Sequence, residues 1–103
     1  MKIEHTIVEK LTRALAPDVL QVINESHSHN VPANSETHFK VVAVSQAFEG
    51  KRVVARHQWM YSLLQQELDG EVHALSLHTF TPQEWAKREQ QVSASPDCMG
   101  GSQ

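Results

Sequence analysis

The chain has a single cysteine, Cys98, in 103 residues. That excludes an internal disulfide framework, and it excludes any cysteine-rich zinc or iron–sulfur site completed within one chain. No apolar run approaches the roughly 20 residues that a membrane-spanning helix needs. A basic excess is also missing: nine Lys and Arg against twelve Asp and Glu leave a formal net charge of −3. That argues against gripping nucleic acid by bulk electrostatics, and any such contact has to be local. The opening "MKIEHTIVEKL" is amphipathic and acidic. It has neither a basic region followed by an apolar block nor the Arg- and Ser-rich, acid-poor character of a transit peptide, so a cytoplasmic, unprocessed, bacterial-type chain is expected. No internal repeat is present, and no Ser/His/Asp, paired-carboxylate or phosphate-cradle pattern stands out, so an enzyme is not expected.

What remains is the composition of one small globular domain, 40% hydrophobic and 20% charged. Ile3, Ile7, Val8, Leu11, Ala14 and Leu15 recur at three- and four-residue intervals, the period of a helix with one buried face, and Pro17 ends it. "VLQVINE" (Val19 to Glu25) reads as a first strand and "HFKVVAVSQAF" (His38 to Phe48) as the central one, both rich in β-branched residues. Gly50 then turns the chain. Val53, His57, Met60, Leu64 and Leu68 follow at helical spacing, up to Asp69 and Gly70, in a helix with a break expected near its start. "EVHALSLHTF" (Glu71 to Phe80) is the third strand. "TPQE" opens a last helix, with Thr81 as cap, Pro82 at the first helical position and Glu84 closing a capping box. Residues 1–92 are expected to form the domain. The small, polar residues 93–103 are expected to be a disordered tail. The order predicts an α+β fold, a three-stranded sheet with helices packed on one face.

Histidine is the abundant reactive type, with three of the seven falling in "ESHSHNVPANSETHF", Glu25 to Phe39. Neutral imidazole is the commonest metal ligand, yet a polar loop also carries histidine simply because it is solvated. On spacing alone His29 is a solvated loop residue and His73 a strand-end residue. His57, on the apolar stripe, reads as a satisfied core histidine. His5, His38 and His78 have no spacing argument for ligation, and Cys98 lacks the preorganisation of a cluster ligand. Lys51, Arg52 and Arg56 gather positive charge in "GKRVVARHQ" and are the candidate phosphate contacts, with a plain solvated helix face the competing explanation.

"SETHFKVVAVSQAFEGKRVVARH" and "VHALSLHTFTPQEW" together resemble the BolA family, with its Ser-rich loop, "HFxVxVVS..F.G" strand and turn, Arg-His pair and "HAL" strand. The "NESHSHNVP" loop and "SPDCMGG" tail resemble its bacterial branch. The resemblance implies a class II KH-like fold in the order αββααβα, with the second long helix divided into a short and a long one. It implies a non-enzymatic partner of monothiol glutaredoxin that shares a [2Fe-2S] cluster, and a bacterial role in stress response and transcriptional regulation. Carried over position by position, the metal ligands fall on His29 and His73, with the glutaredoxin cysteine and glutathione completing the set. No cofactor is then expected in the isolated chain, which would be a monomer or weak homodimer. His27 is outside the family pattern. The alternative is a DNA-binding regulator of cell morphology and stress genes acting through the KH-like domain. Against it, Gln58 replaces the cation of the family's Arg-His-Arg, and "GKRV" has only one glycine where a KH domain clamps backbone with GXXG.

Overall fold

The computed structural model describes residues 2–26 and 35–94, with side chains through residue 88. Helix α1 (Lys2–Leu15) leads into strands β1 (Val19–Asn24) and β2 (His38–Val44). A 3-10 turn (Gln46–Phe48), helices α2 (Val53–Leu63) and α3 (Gln65–Asp69), strand β3 (Ala74–Phe80) and helix α4 (Pro82–Ala94) follow. The order is the αββααβα of an α+β domain. The strands lie in the order β1-β2-β3, with β1 antiparallel and β3 parallel to the central β2. A parallel pair needs a crossover connection, and α2 with α3 supplies it.

Alternation along β2 divides the molecule. Phe39, Val41 and Ala43 point to the helices, where Ile7, Leu11 and Leu15 of α1, Met60, Leu64, Phe48 and Val72 close the core around them. The opposite face carries His38 and Lys40, and at its far end Trp85 and Arg88 of α4 reach back against Phe80. Val8 is not part of the α1 stripe, being exposed where Ile7 and Leu11 are fully buried. Non-local contacts fasten the frame. One carboxylate oxygen of Glu36 accepts from the backbone N–H groups of Ile3 (3.0 Å) and Glu4 (3.1 Å), capping α1 from 30-odd residues away. Lys10 pairs with Glu67 at 2.9 Å and ties α1 to α3.

The elements differ from the expected bounds where side chains redirect the backbone. β2 stops at Val44 because Ser45 accepts from Ala47 N–H and donates to Leu15 C=O (2.6 Å), which starts the 3-10 turn instead of continuing the strand. The break expected early in the second long helix comes late, at Leu64 (φ −107°, ψ 19°), so the long piece precedes the short one. β3 begins at Ala74 because Val72 N–H still bonds back to Glu67 C=O and closes α3. Val53, expected on the buried stripe, is 54% exposed. Arg56 takes the inward position one turn on, followed by Met60 and Leu64. α4 runs to Ala94, two residues past the expected domain limit, and the rest of the expected tail lies outside the described residues.

Candidate functional site

His73 sits immediately before β3, where the parallel strands open. Its backbone N–H donates to Thr37 C=O at 2.7 Å, and Ala74 N–H donates to the same oxygen at 3.2 Å. Register sets His38 beside Ala74. The His38 and His73 rings consequently meet edge to face, with centroids 6.3 Å apart. His73 is exposed, so its backbone is fixed while its imidazole faces solvent. His38 is half-buried and shares a hydrogen bond between Nδ1 and the Thr37 hydroxyl, 2.8 Å.

The base of the loop that holds the other candidate ligand is clamped beside this pair. Ser26, fully buried, accepts on its hydroxyl oxygen from the backbone N–H groups of Thr37 (2.8 Å) and His38 (3.1 Å). Asn24 accepts from Ser26 N–H (2.9 Å) and donates from its side-chain amide to Ser35 C=O (2.9 Å). Ser26, at one end of the loop, is thus bonded to Thr37, whose carbonyl holds His73, and Ser35, at the other, is bonded to Asn24. His29 itself lies outside the described residues, as do His27 and Cys98.

The basic turn divides. Gly50 takes a positive φ of 81° and swings the chain into α2. Lys51 and Arg52 are exposed there, with the Lys51 ammonium 5.3 Å from the Trp59 ring centre. Arg56 does not join them and is corrected as a phosphate contact, because it is buried, 5% exposed, and its guanidinium is bonded inward. Nε donates to Lys51 C=O (2.9 Å), Nη1 to Thr79 C=O (3.3 Å) and Glu84 Oε1 (2.7 Å), and Nη2 to Glu84 Oε2 (3.1 Å). Glu84 also closes the expected capping box: Thr81 N–H donates to its Oε1 and Glu84 N–H donates to the Thr81 hydroxyl. The hydrogen bonds from Arg56 and from the Thr81 backbone pull the Glu84 carboxyl down to about 2.

The remaining histidines scatter. His5 faces Glu9 one turn on along α1 (3.5 Å), His57 is half-buried on α2, and His78 is exposed on the outer sheet face with Ser76 Oγ 3.1 Å from its Nε2. Among the described residues no three His, Cys, Asp or Glu side chains converge as a metal-binding group. No helix among them is long and apolar enough to cross a membrane. The loop clamp and the inward turn of Arg56 are the features that residue spacing did not reveal, since the partners are 11 to 28 positions apart.

Residues 11–84 match the family model described as BolA-like protein. Over 100 residues the chain is 52% identical to the DNA-binding transcriptional regulator BolA of Escherichia coli (strain K12), covering 97% of this chain and 95% of that one. The solution structure of BolA1 from Mus musculus superposes with a TM-score of 0.78 at 46% identity, over 87% of this chain and 73% of that one. The BolA domain of SufE1 from Arabidopsis thaliana gives 0.73 at 44% identity, over 79% and 93%. With its sheet order, its helices and three-quarters of its length matched in this way, the chain belongs to the BolA-like protein family.

Proposed function

We propose that the chain is an adaptor that shares a [2Fe-2S] cluster with a monothiol glutaredoxin. His73 and His29 supply its two ligands, and the glutaredoxin cysteine and glutathione supply the others. The observation that supports this most directly is the single carbonyl of Thr37. It fixes the backbone of the exposed His73 while the Ser26 clamp holds the root of the His29 loop beside it. Two imidazoles from one chain fit such a cluster chemically, since histidine in place of thiolate on one iron raises the reduction potential. When bound, the cluster supplies a one-electron couple. The chain's own part is to present nitrogen donors on a fixed strand end and an anchored loop.

The test is to mix the chain with a monothiol glutaredoxin and glutathione under cluster-reconstitution conditions and to record visible absorption and circular dichroism. A mixed-complex spectrum that differs from that of glutaredoxin alone, lost in His73→Ala and retained in His27→Ala, is expected. Unchanged spectra and cluster lability in His73→Ala would overturn the ligand assignment. A second reading, a DNA-binding regulator, draws on the names carried by the bacterial relatives and on the exposure of Lys51 and Arg52 beside the Gly50 turn. Both readings describe regulation and exchange rather than catalysis, and they use opposite ends of the sheet.

A further inference from the structure

The outer face of the sheet holds a recess of about 150 Å³, away from His73 and from the Gly50 turn. Lys40, Val42, His78, Phe80, Trp85 and Arg88 line it. The β2–β3 register puts Val42 beside His78 and Lys40 beside Ser76, so Lys40 and His78 are diagonal neighbours on one face. Arg88 arrives from α4. Its guanidinium carbon lies 5.3 Å from the Phe80 ring centre and 5.4 Å from that of Trp85, and the two rings are 5.3 Å apart. Two permanent cations and an imidazole therefore converge over an apolar floor and an aromatic wall.

Among the described residues nothing anionic is bonded to Lys40 or Arg88, and the ion pairs engage His5, Lys10 and Arg56 instead. Burial, then Lys40, Arg88 and His57, hold the pKa of His78 below the ordinary value, and Glu25 acts in the other direction. Like charges gathered beside apolar walls, where screening by water is reduced, are relieved by an anion.

We propose that this recess is a phosphoryl-binding subsite, in which Lys40 and Arg88 hold the phosphate oxygens, His78 adds a ring N–H, and the Phe80–Trp85 wall receives an adjoining base. Arg suits such a role because its planar fork matches phosphate oxygens, and its stacking on the two rings preorganises it. The shared chemistry is a phosphate ester, met either as a free nucleotide or as the backbone of a nucleic acid strand. The site is separate from the cluster reading and from the Lys51–Arg52 turn, so either of those can fail without affecting it.

The experiment follows the His78 imidazole by NMR on the full chain. pH titrations at fixed ionic strength are run in chloride, in inorganic phosphate, with thymidine monophosphate and with a short single-stranded oligothymidylate. An anion in the recess stabilises the imidazolium, so the His78 midpoint should rise with every phosphate probe, and affinity should increase as the pH falls through it. Lys40→Gln and Arg88→Gln should each weaken the monophosphate by about tenfold, the scale of one charge-assisted contact, with the amide spectrum of the fold retained. A monophosphate that binds as tightly as the oligonucleotide assigns the site to free esters, and a tighter oligonucleotide assigns it to a strand. A His78 midpoint identical in chloride and in all three phosphate probes would overturn the proposal, as would parental affinity in both variants.

Discussion

Arg56 and Glu84 form a two-pronged ion pair between α2 and the first turn of α4, with Nη1–Oε1 at 2.7 Å and Nη2–Oε2 at 3.1 Å. Its two halves are unequal, because the Arg56 side chain is 6% exposed and that of Glu84 48%. The guanidinium is the group that depends on the bond. Removing the carboxylate leaves a buried cation with only the carbonyls of Lys51 and Thr79, whereas Glu84 without Arg56 still has water and the Thr81 cap.

Glu84→Gln should therefore destabilise the fold by about 2 kcal/mol. That is less than the roughly 3–5 kcal/mol of a fully buried broken pair, because solvent screens the exposed carboxylate. The pH dependence has a definite sign. The folded carboxyl titrates at about 2 against an ordinary 4.5, so the unfolded chain binds the extra proton in that window. The contribution is fully present above pH 4.5 and is lost as pH falls from there toward 2. Urea unfolding of parent and variant at a series of pH values checks both. A stability difference that stays constant from pH 6 to pH 2.5 would contradict the assignment.

The Ser26 clamp makes a similar prediction for the loop. Its hydroxyl oxygen satisfies two backbone N–H groups, those of Thr37 and His38, in a buried position. Ser26→Ala leaves both without their acceptor and should cost about 2–3 kcal/mol. It should also speed amide hydrogen exchange at Thr37 and His38 more than at Leu77. Because Thr37 C=O holds His73, the same variant should loosen the His38–His73 ring contact, read as a change in both imidazole resonances. Unaltered exchange at Thr37 would show that the clamp is not what fixes this end of the sheet.

Two backbone positions should respond in opposite directions. Ala16 ends α1 at φ +43°, in the left-handed region that L side chains adopt at a cost of roughly 1–2 kcal/mol. Gly50 holds φ +81° with nothing within 4 Å of the place a Cβ would occupy. Ala16→Gly should stabilise the fold by about 0.5–1 kcal/mol once the extra freedom of the unfolded glycine is counted. Gly50→Ala should destabilise it by about 1 kcal/mol through conformation alone, since it meets no clash. Denaturant midpoints moving the same way in both variants would contradict this.

Local patterns in the sequence were good guides, and distant partners were invisible. The α1 stripe through Ile7, Leu11 and Leu15 and the Thr81–Glu84 box both depend on residues three or four apart, so periodicity and capping rules found them. Arg56 was misread because a cation on a helix looks solvated until its partner is known, and that partner is 28 residues away. Val53 was misread for the linked reason that Arg56 takes the inward position expected of an apolar residue. The place of His73 is a different case. Spacing alone left it an ordinary strand-end histidine, and only the likeness of "VHAL" to a family pattern singled it out.

The inward turn of Arg56 sharpens what a DNA experiment has to show. If the Gly50 turn meets phosphates, Lys51 and Arg52 are the side chains that do so, because they are exposed and Arg56 is spent on Glu84. Each phosphate contact releases counterion, so a Lys51→Ala, Arg52→Ala double variant should bind duplex DNA more weakly. The slope of log affinity against log salt should become shallower by about 1.8, or 0.9 for each lost contact. Arg56→Ala should behave differently: its thermal midpoint should fall by several degrees, as expected for breaking a buried pair. Whatever remains folded should keep the parental salt slope. Anisotropy titrations at three or more salt concentrations, paired with thermal melts, separate the two outcomes. A double variant with the parental slope would remove the turn from DNA binding. An Arg56→Ala protein that melts like the parent but has a shallower slope would show instead that the guanidinium leaves Glu84 to reach phosphate.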